Sequence, residues 1–169
     1  VFTAEKNAYT AHLTVDNVAL AGLRSLSVSL PEGLDGTLHA DLGIDGQMGG
    51  ALTVLGSASL SDGVYRNIPV ERADASFILR GDDLTIDFLS AKLPNDTELG
   101  VEGQIMRGSA LDLRFYGAHV DLSLLNRLDD RLSFSGLADF SGEVQGDIHD
   151  PQVDMQVSAT NGDLMYQPF

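Results

Sequence analysis

A pattern of glycines and alternating apolar residues recurs after about a hundred positions, and it restricts the fold more than any single side chain does. Gly36, Leu38, Ala40, Leu42, Ile44 and Gly46 are matched by Gly136, Ala138, Phe140, Gly142, Val144 and Gly146. After a one-residue slip the correspondence continues, with Val54, Asp62-Gly63 and Pro69 set against Val153, Asn161-Gly162 and Pro168. In each copy the apolar or small residues fall on every second position, which is the period of a strand and not of a helix. A long period assembled from strands and turns predicts a stacked β array, in which each unit buries its face against the next.

The same alternation runs through the rest of the chain. Leu38, Ala40, Leu42 and Ile44 share one face, with His39, Asp41 and Asp45 on the other. Leu84, Ile86 and Phe88 alternate with Thr85 and Asp87; Leu99, Val101 and Ile105 oppose Glu98 and Glu102. Leu111, Leu113 and Phe115 oppose Asp112 and Arg114, and Val153, Met155, Val157 and Ala159 oppose Asp154, Gln156 and Ser158. One dry and one wet face per strand marks an antiparallel sheet. The pairs Asp45-Gly46, Asp62-Gly63, Gly81-Asp82 and Asn161-Gly162 supply positive φ where tight turns require it. Pro31, Pro94 and Pro151 are expected between strands, where a missing N–H does no harm. The count comes to roughly ten strands, near the upper range of an open sheet.

Helical pattern is confined to residues 19–26 and 121–128, the second with Asp121 as its N-cap. Both precede the repeated glycine pair and suit a plug or cap. Neither is long enough to cover the dry face of so many strands. A closed barrel, two facing sheets or one strongly curved sheet around an apolar groove all solve that problem. Repetition favours extension over closure. With 169 residues, 43% of them hydrophobic, the chain suits one unit, residues 1–169, made of two approximate repeats. These run over about 1–100 and 101–169, and the second stops short. That break, and a start at Val1 without a signal peptide, suggest a piece of something longer.

A formal net charge of −15 repels phosphate backbones and anionic headgroups, which argues against nucleic acid and acidic membrane surfaces as partners. There is no cysteine, hence no disulfide or thiolate metal site, and this suits an extracytoplasmic setting. No stretch approaches the roughly 20 apolar residues of a membrane-spanning helix. His12, His39, His119 and His149 lack ligand spacing, and Asp82-Asp83 and Asp129-Asp130 read as solvated turns. No nucleophile elbow, P-loop or dinucleotide fingerprint occurs, so neither enzymatic activity nor a cofactor is expected.

The second copy carries a more specific signature. Val120-Asp121-Leu122-Ser123-Leu124-Leu125 leads to Gly136 and a strand through Val144. Gly146-Asp147-Ile148-His149-Asp150-Pro151-Gln152-Val153 then brings glycine, spacer, proline and apolar residue in order, and Asn161-Gly162 and Tyr166-Gln167-Pro168-Phe169 close the unit. The first copy has Gly49-Gly50-Ala51-Leu52 where the second has Asp150-Pro151. From about Leu20 onward the chain resembles the TamB/AsmA-like periplasmic β-repeat proteins of diderm bacteria. The resemblance implies an all-β fold: an elongated, strongly curved antiparallel sheet folded over a hydrophobic groove, a β-taco. It also implies a periplasmic bridge between inner and outer membranes, phospholipid transport, and an outer-membrane partner of the Omp85 class engaged by the full-length protein.

A lipid groove should be lined by aliphatic and small residues. Leu38, Leu42, Ile44, Leu84, Ile86, Phe88, Val101, Ile105, Leu111, Leu113, Phe115, Phe140, Val144, Val153, Met155 and Val157 are the candidates. Residue by residue they equally suit the core of a closed sandwich. Two functions follow. The first is a passive groove that shields phospholipid acyl chains. The second is a scaffold that captures outer-membrane β-barrel clients by strand addition. Exposed strand edges are also expected to let isolated fragments dimerise.

Overall fold

The computed structural model describes residues 2–5, 8–24, 32–128, 133–164 and 167–168. They form a single open, curled, antiparallel sheet whose spatial order follows the chain, so every strand pairs with its sequence neighbours. The strands are β1 (Phe2–Glu5), β2 (Ala8–Ala19), β3 (Leu34–Gln47), β4 (Thr53–Tyr65), β5 (Ile68–Arg80) and β6 (Asp83–Lys92). They continue with β7 (Glu98–Met106), β8 (Ala110–Asp121), β9 (Phe134–Asp147), β10 (Asp150–Leu164) and β11 (Gln167–Pro168). Among the described residues, helix is limited to α1 (Leu20–Arg24), after β2, and a 3-10 helix (Leu122–Arg127), after β8. Ser25, Leu26, Pro31 and Asp129-Asp130 lie outside the described residues.

The recurring pattern becomes matching structure. β2 and β8 each have 12 residues, and β3 and β9 each have 14. Asn17 in β2 (φ 53) and His119 in β8 (φ 51) occupy equivalent bulges, and Gly36 and Gly136 both have positive φ. A helix-bearing connection then joins β2 to β3 and β8 to β9.

Several residue pairs expected to form tight turns sit inside strands instead. Asp45-Gly46 is in β3, Asp62-Gly63 in β4 and Asn161-Gly162 in β10. One kind of β-bulge uses the same left-handed backbone as a tight turn. Asp62 supplies it at φ 50, and the ladder of β10 shifts register between Thr160 and Asp163. The β4–β5 turn falls instead at Arg66-Asn67, with φ 45 and 69. Gly81-Asp82 does form a turn, and Pro94 lies in the β6–β7 connection. Pro151, expected between strands, is the second residue of β10, opposite Gly146. Asp147 and Asp150 flank a two-residue turn and exchange the hydrogen bonds that close it. The nitrogen of residue 151 therefore faces away from β9, and proline there costs no ladder bond.

Turns along one rim are knitted together by backbone hydrogen bonds. Gly81 N donates to Leu52 O (2.9 Å), Gly108 N to Asp82 O (2.9 Å) and Ile148 N to Ser109 O (2.8 Å). The opposite rim carries α1 and the 3-10 helix, and the well-buried core lies there: Leu20, Leu60, Ile68, Val70, Leu93 and Leu124.

Candidate functional site: an apolar trough

Cross-strand register lines up the dry face in rows. One row reads Leu13, Leu42, Gly56, Phe77, Ile86, Gly103, Leu113, Val144 and Val153, each paired with the next. The next reads Val15, Ala40, Ala58, Ala75, Leu89, Val101, Phe115, Gly142 and Met155. A third reads Val18, Leu38, Leu60, Ala73, Ala91, Leu99, Gly117, Phe140 and Val157. Not one polar side chain interrupts them. Where a row carries a large ring, its neighbour across the strand is often glycine. A Cβ at Gly56 would collide with the Phe77 ring and one at Gly117 with the Phe140 ring. The rings thus cover bare backbone, which lets the rows pack closely on a curled sheet. Phe115 and Phe140 stand 6.1 Å apart, centroid to centroid, at 55°.

Against the helix-bearing rim these rows enclose a trough of about 610 Å³. Its floor comes from β3 to β9, including Leu38, Leu60, Leu89 and Leu99, while Leu20 of α1 and Leu124, Leu125 and Leu128 at the 3-10 helix form its edge. Asp74 and Asp121 are the only acidic residues along it among the described residues, and both carboxylates are hydrogen-bonded. Asp74 receives Arg72 Nε at 2.6 Å and Nη2 at 2.8 Å, and this hydrogen bonding holds its pKa below the ordinary carboxylate value.

Asp121 is the N-cap of the 3-10 helix. Its carboxylate accepts from Ser123 N (2.9 Å) and Asn95 Nδ2 (2.6 Å). The Ser123 hydrogen bond is the main reason its pKa lies below normal, against an opposing effect of burial. Thr97 is fully buried beside it. Its Oγ1 donates to His119 O (3.1 Å) and accepts from Asp121 N (3.0 Å). At the far end of the helix, Asn126 exchanges two 2.9 Å hydrogen bonds with the backbone of Phe134, and Arg127 Nη1 donates to Asn67 O at 3.3 Å. The last bond ties the helix to the β4–β5 turn, so the trough edge is fastened to the β6–β7 connection, the β4–β5 turn and the start of β9.

Of the candidates named from sequence, Leu38 and Phe140 line the trough itself. Leu42, Ile44, Leu84, Ile86, Val101, Ile105, Leu111, Leu113, Phe115, Val144, Val153, Met155 and Val157 share its dry face, farther along the rows. Phe88 does not. The ladder between β5 and β6 shifts between Ser76 and Phe77, so Phe88 pairs with Ser76 on the polar face and is 48% exposed. Leu89 takes the inward place instead. The lining alanines and the helix leucines were not in the candidate set. Alternation of Ala73, Ala75 and Phe77 against Arg72, Asp74 and Ser76 was the available signal for the alanines.

The outer face is polar. His12 Nε2 lies 2.6 Å from Asp41, His39 Nδ1 2.7 Å from Asp16, and Arg114 Nη2 3.2 Å from Glu102. Among the described residues no three His, Asp or Glu side chains converge to hold a metal ion, and no helix is long and apolar enough to cross a membrane. Compared with protein-family models, curated proteins and solved structures, the chain matches none.

Proposed function

We propose that this chain is a non-enzymatic, lipid-holding β groove of the TamB/AsmA-like kind, acting in the periplasm as one segment of a route for phospholipids between membranes. The observation that carries the reading is the apolar trough of about 610 Å³, with aliphatic residues on its floor and along its helical edge. That volume falls within the ~300–1,000 Å³ typical of small-molecule sites. An acyl chain gains ~0.8 kcal/mol for each methylene it buries, so a few enclosed methylenes suffice for useful binding. The headgroup stays in water, and movement is passive sliding along the rows, with no residue making or breaking a bond. A link to an Omp85-class outer-membrane protein belongs, on this reading, to the full-length protein.

The test is mass spectrometry of lipids co-purifying with the folded protein, joined to a photo-crosslinker at Leu89. Captured phospholipid is the expected result. A lipid-free protein with no crosslink removes the reading.

A further inference from the structure

We propose that the trough takes an acyl chain methyl end first, the terminal methyl lodging among Leu20, Leu60, Val70, Leu93 and Leu124 and the headgroup leaving past Leu89. The inference rests on the lipid-holding reading and adds to it the orientation of the chain and the kind of chain end the site accepts. Burial is graded along the trough. Those five leucine and valine side chains are between 2% and 9% exposed, whereas Leu89 on the floor is 43% exposed. Beyond Leu89, toward the rim of turns, Leu42, Phe77, Ile86 and Leu113 of the neighbouring row are half-buried. The deep end therefore lies under the helices and the shallow end faces the open rows.

Polar chemistry at the deep end is already used up. Thr97, fully buried there, spends its hydroxyl on His119 O and Asp121 N. The Asp121 carboxylate is turned to Ser123 N and Asn95 Nδ2, and the Asn126 amide to the backbone of Phe134. Among the described residues no buried side-chain nitrogen or oxygen lacks a partner, and the wall of the trough is almost wholly carbon. A headgroup pushed to this end would lose its water and gain no hydrogen bond, which is unfavourable. A methyl group loses nothing. The trough is also long enough for a whole chain. It follows β4 from Ala58 to Tyr65, a run of about 23 Å at ~3.3 Å per residue, against the ~15 Å that the chains of one bilayer leaflet span. The chain axis then lies parallel to the strands, and sliding along the rows carries it sideways.

Three zwitterionic lysophosphatidylcholines test the orientation, the protein's charge of −15 making an anionic probe unsuitable. One has a plain eighteen-carbon chain, one a hydroxyl on the terminal carbon, and one a hydroxyl beside the acyl carbonyl. Their Kd values are measured by calorimetry below the micelle limit. The terminal hydroxyl, left without a partner at the deep end, is expected to weaken binding by about 5- to 150-fold. The hydroxyl beside the carbonyl stays near water, and its Kd is expected to equal that of the plain chain. Val70→Thr, checked for folding by circular dichroism, places a hydroxyl at the deep end and should recover part of the loss for the terminal alcohol alone. A photoreactive group on the terminal carbon should label Leu93 or Leu124, and one beside the carbonyl should label Leu42 or Leu89. Equal Kd values for the two alcohols, or the reverse labelling, overturn the orientation while leaving the lipid-holding reading in place. Failure of the plain chain to bind overturns both.

Discussion

Replacing Thr97 with valine isolates the contact that fastens the edge of the trough. Valine matches threonine in shape and removes only the hydroxyl. Two hydrogen bonds disappear, one to His119 O and one from Asp121 N, and the fully buried site leaves no room for water to replace them. Each bond contributes ~1 kcal/mol net, and the peptide groups left unpaired add to that, which gives about 2–4 kcal/mol in all. For a chain of this length the loss corresponds to a fall of roughly 5–15 °C in melting temperature. Thr97→Ser keeps both hydrogen bonds and gives up one buried methyl, about 1 kcal/mol. Urea unfolding of the three proteins, with a fluorescent probe for exposed apolar surface, separates the cases. Valine should be clearly the least stable and should bind the most dye, because Leu124 and Leu125 would no longer be held against the trough. If Thr97→Val lies within ~0.5 kcal/mol of the parent, the hydroxyl does not anchor the 3-10 helix.

Acid should weaken the same contact. Asp121 and Asp74 both have lowered pKa values, set chiefly by hydrogen bonds from Ser123 and from Arg72. Groups of this kind add stability above the unfolded carboxylate pKa of ~3.9, and the contribution disappears as pH falls through the lower folded value. Asp121→Asn keeps a capping side chain but cannot titrate, so its melting temperature should fall less steeply over that acidic range; an unchanged slope would dismiss the role of Asp121. The face assignment of β6 is open to a direct comparison. Phe88→Asp should leave lipid retention and stability nearly unaltered, while Leu89→Asp should lower retention several-fold; the reverse order would place the bulge elsewhere.

The fold class could be read from alternation because a sheet with one dry face must place its apolar residues two apart. The recurrence of Gly36 to Gly46 at Gly136 to Gly146 anticipated that β3 and β9 would match. Asp121 was recognisable as a cap because the side-chain oxygen it offers to the first turn is a local matter. Bulges were not legible. Asp62-Gly63 carries the signature of a turn, yet the left-handed residue serves equally well inside a strand. A bulge also inverts everything after it, which moved Phe88 outward and Leu89 inward.

Alternation therefore determined the antiparallel sheet and the side of most strands, since those depend on a residue and its near neighbours. Only the tertiary structure decided where along the dry face the trough lies. That position depends on how far the sheet curls and on which leucines fold back over it. Leu20 and Leu124 stand about a hundred residues apart in the chain and meet the same core only because the two helices sit on one rim. Thr97 and Asn95 form a sequon with no structural meaning of its own in the sequence. They acquire one when the β6–β7 connection comes within hydrogen-bonding distance of Asp121, a contact across 24 and 26 positions of chain that no local pattern encodes.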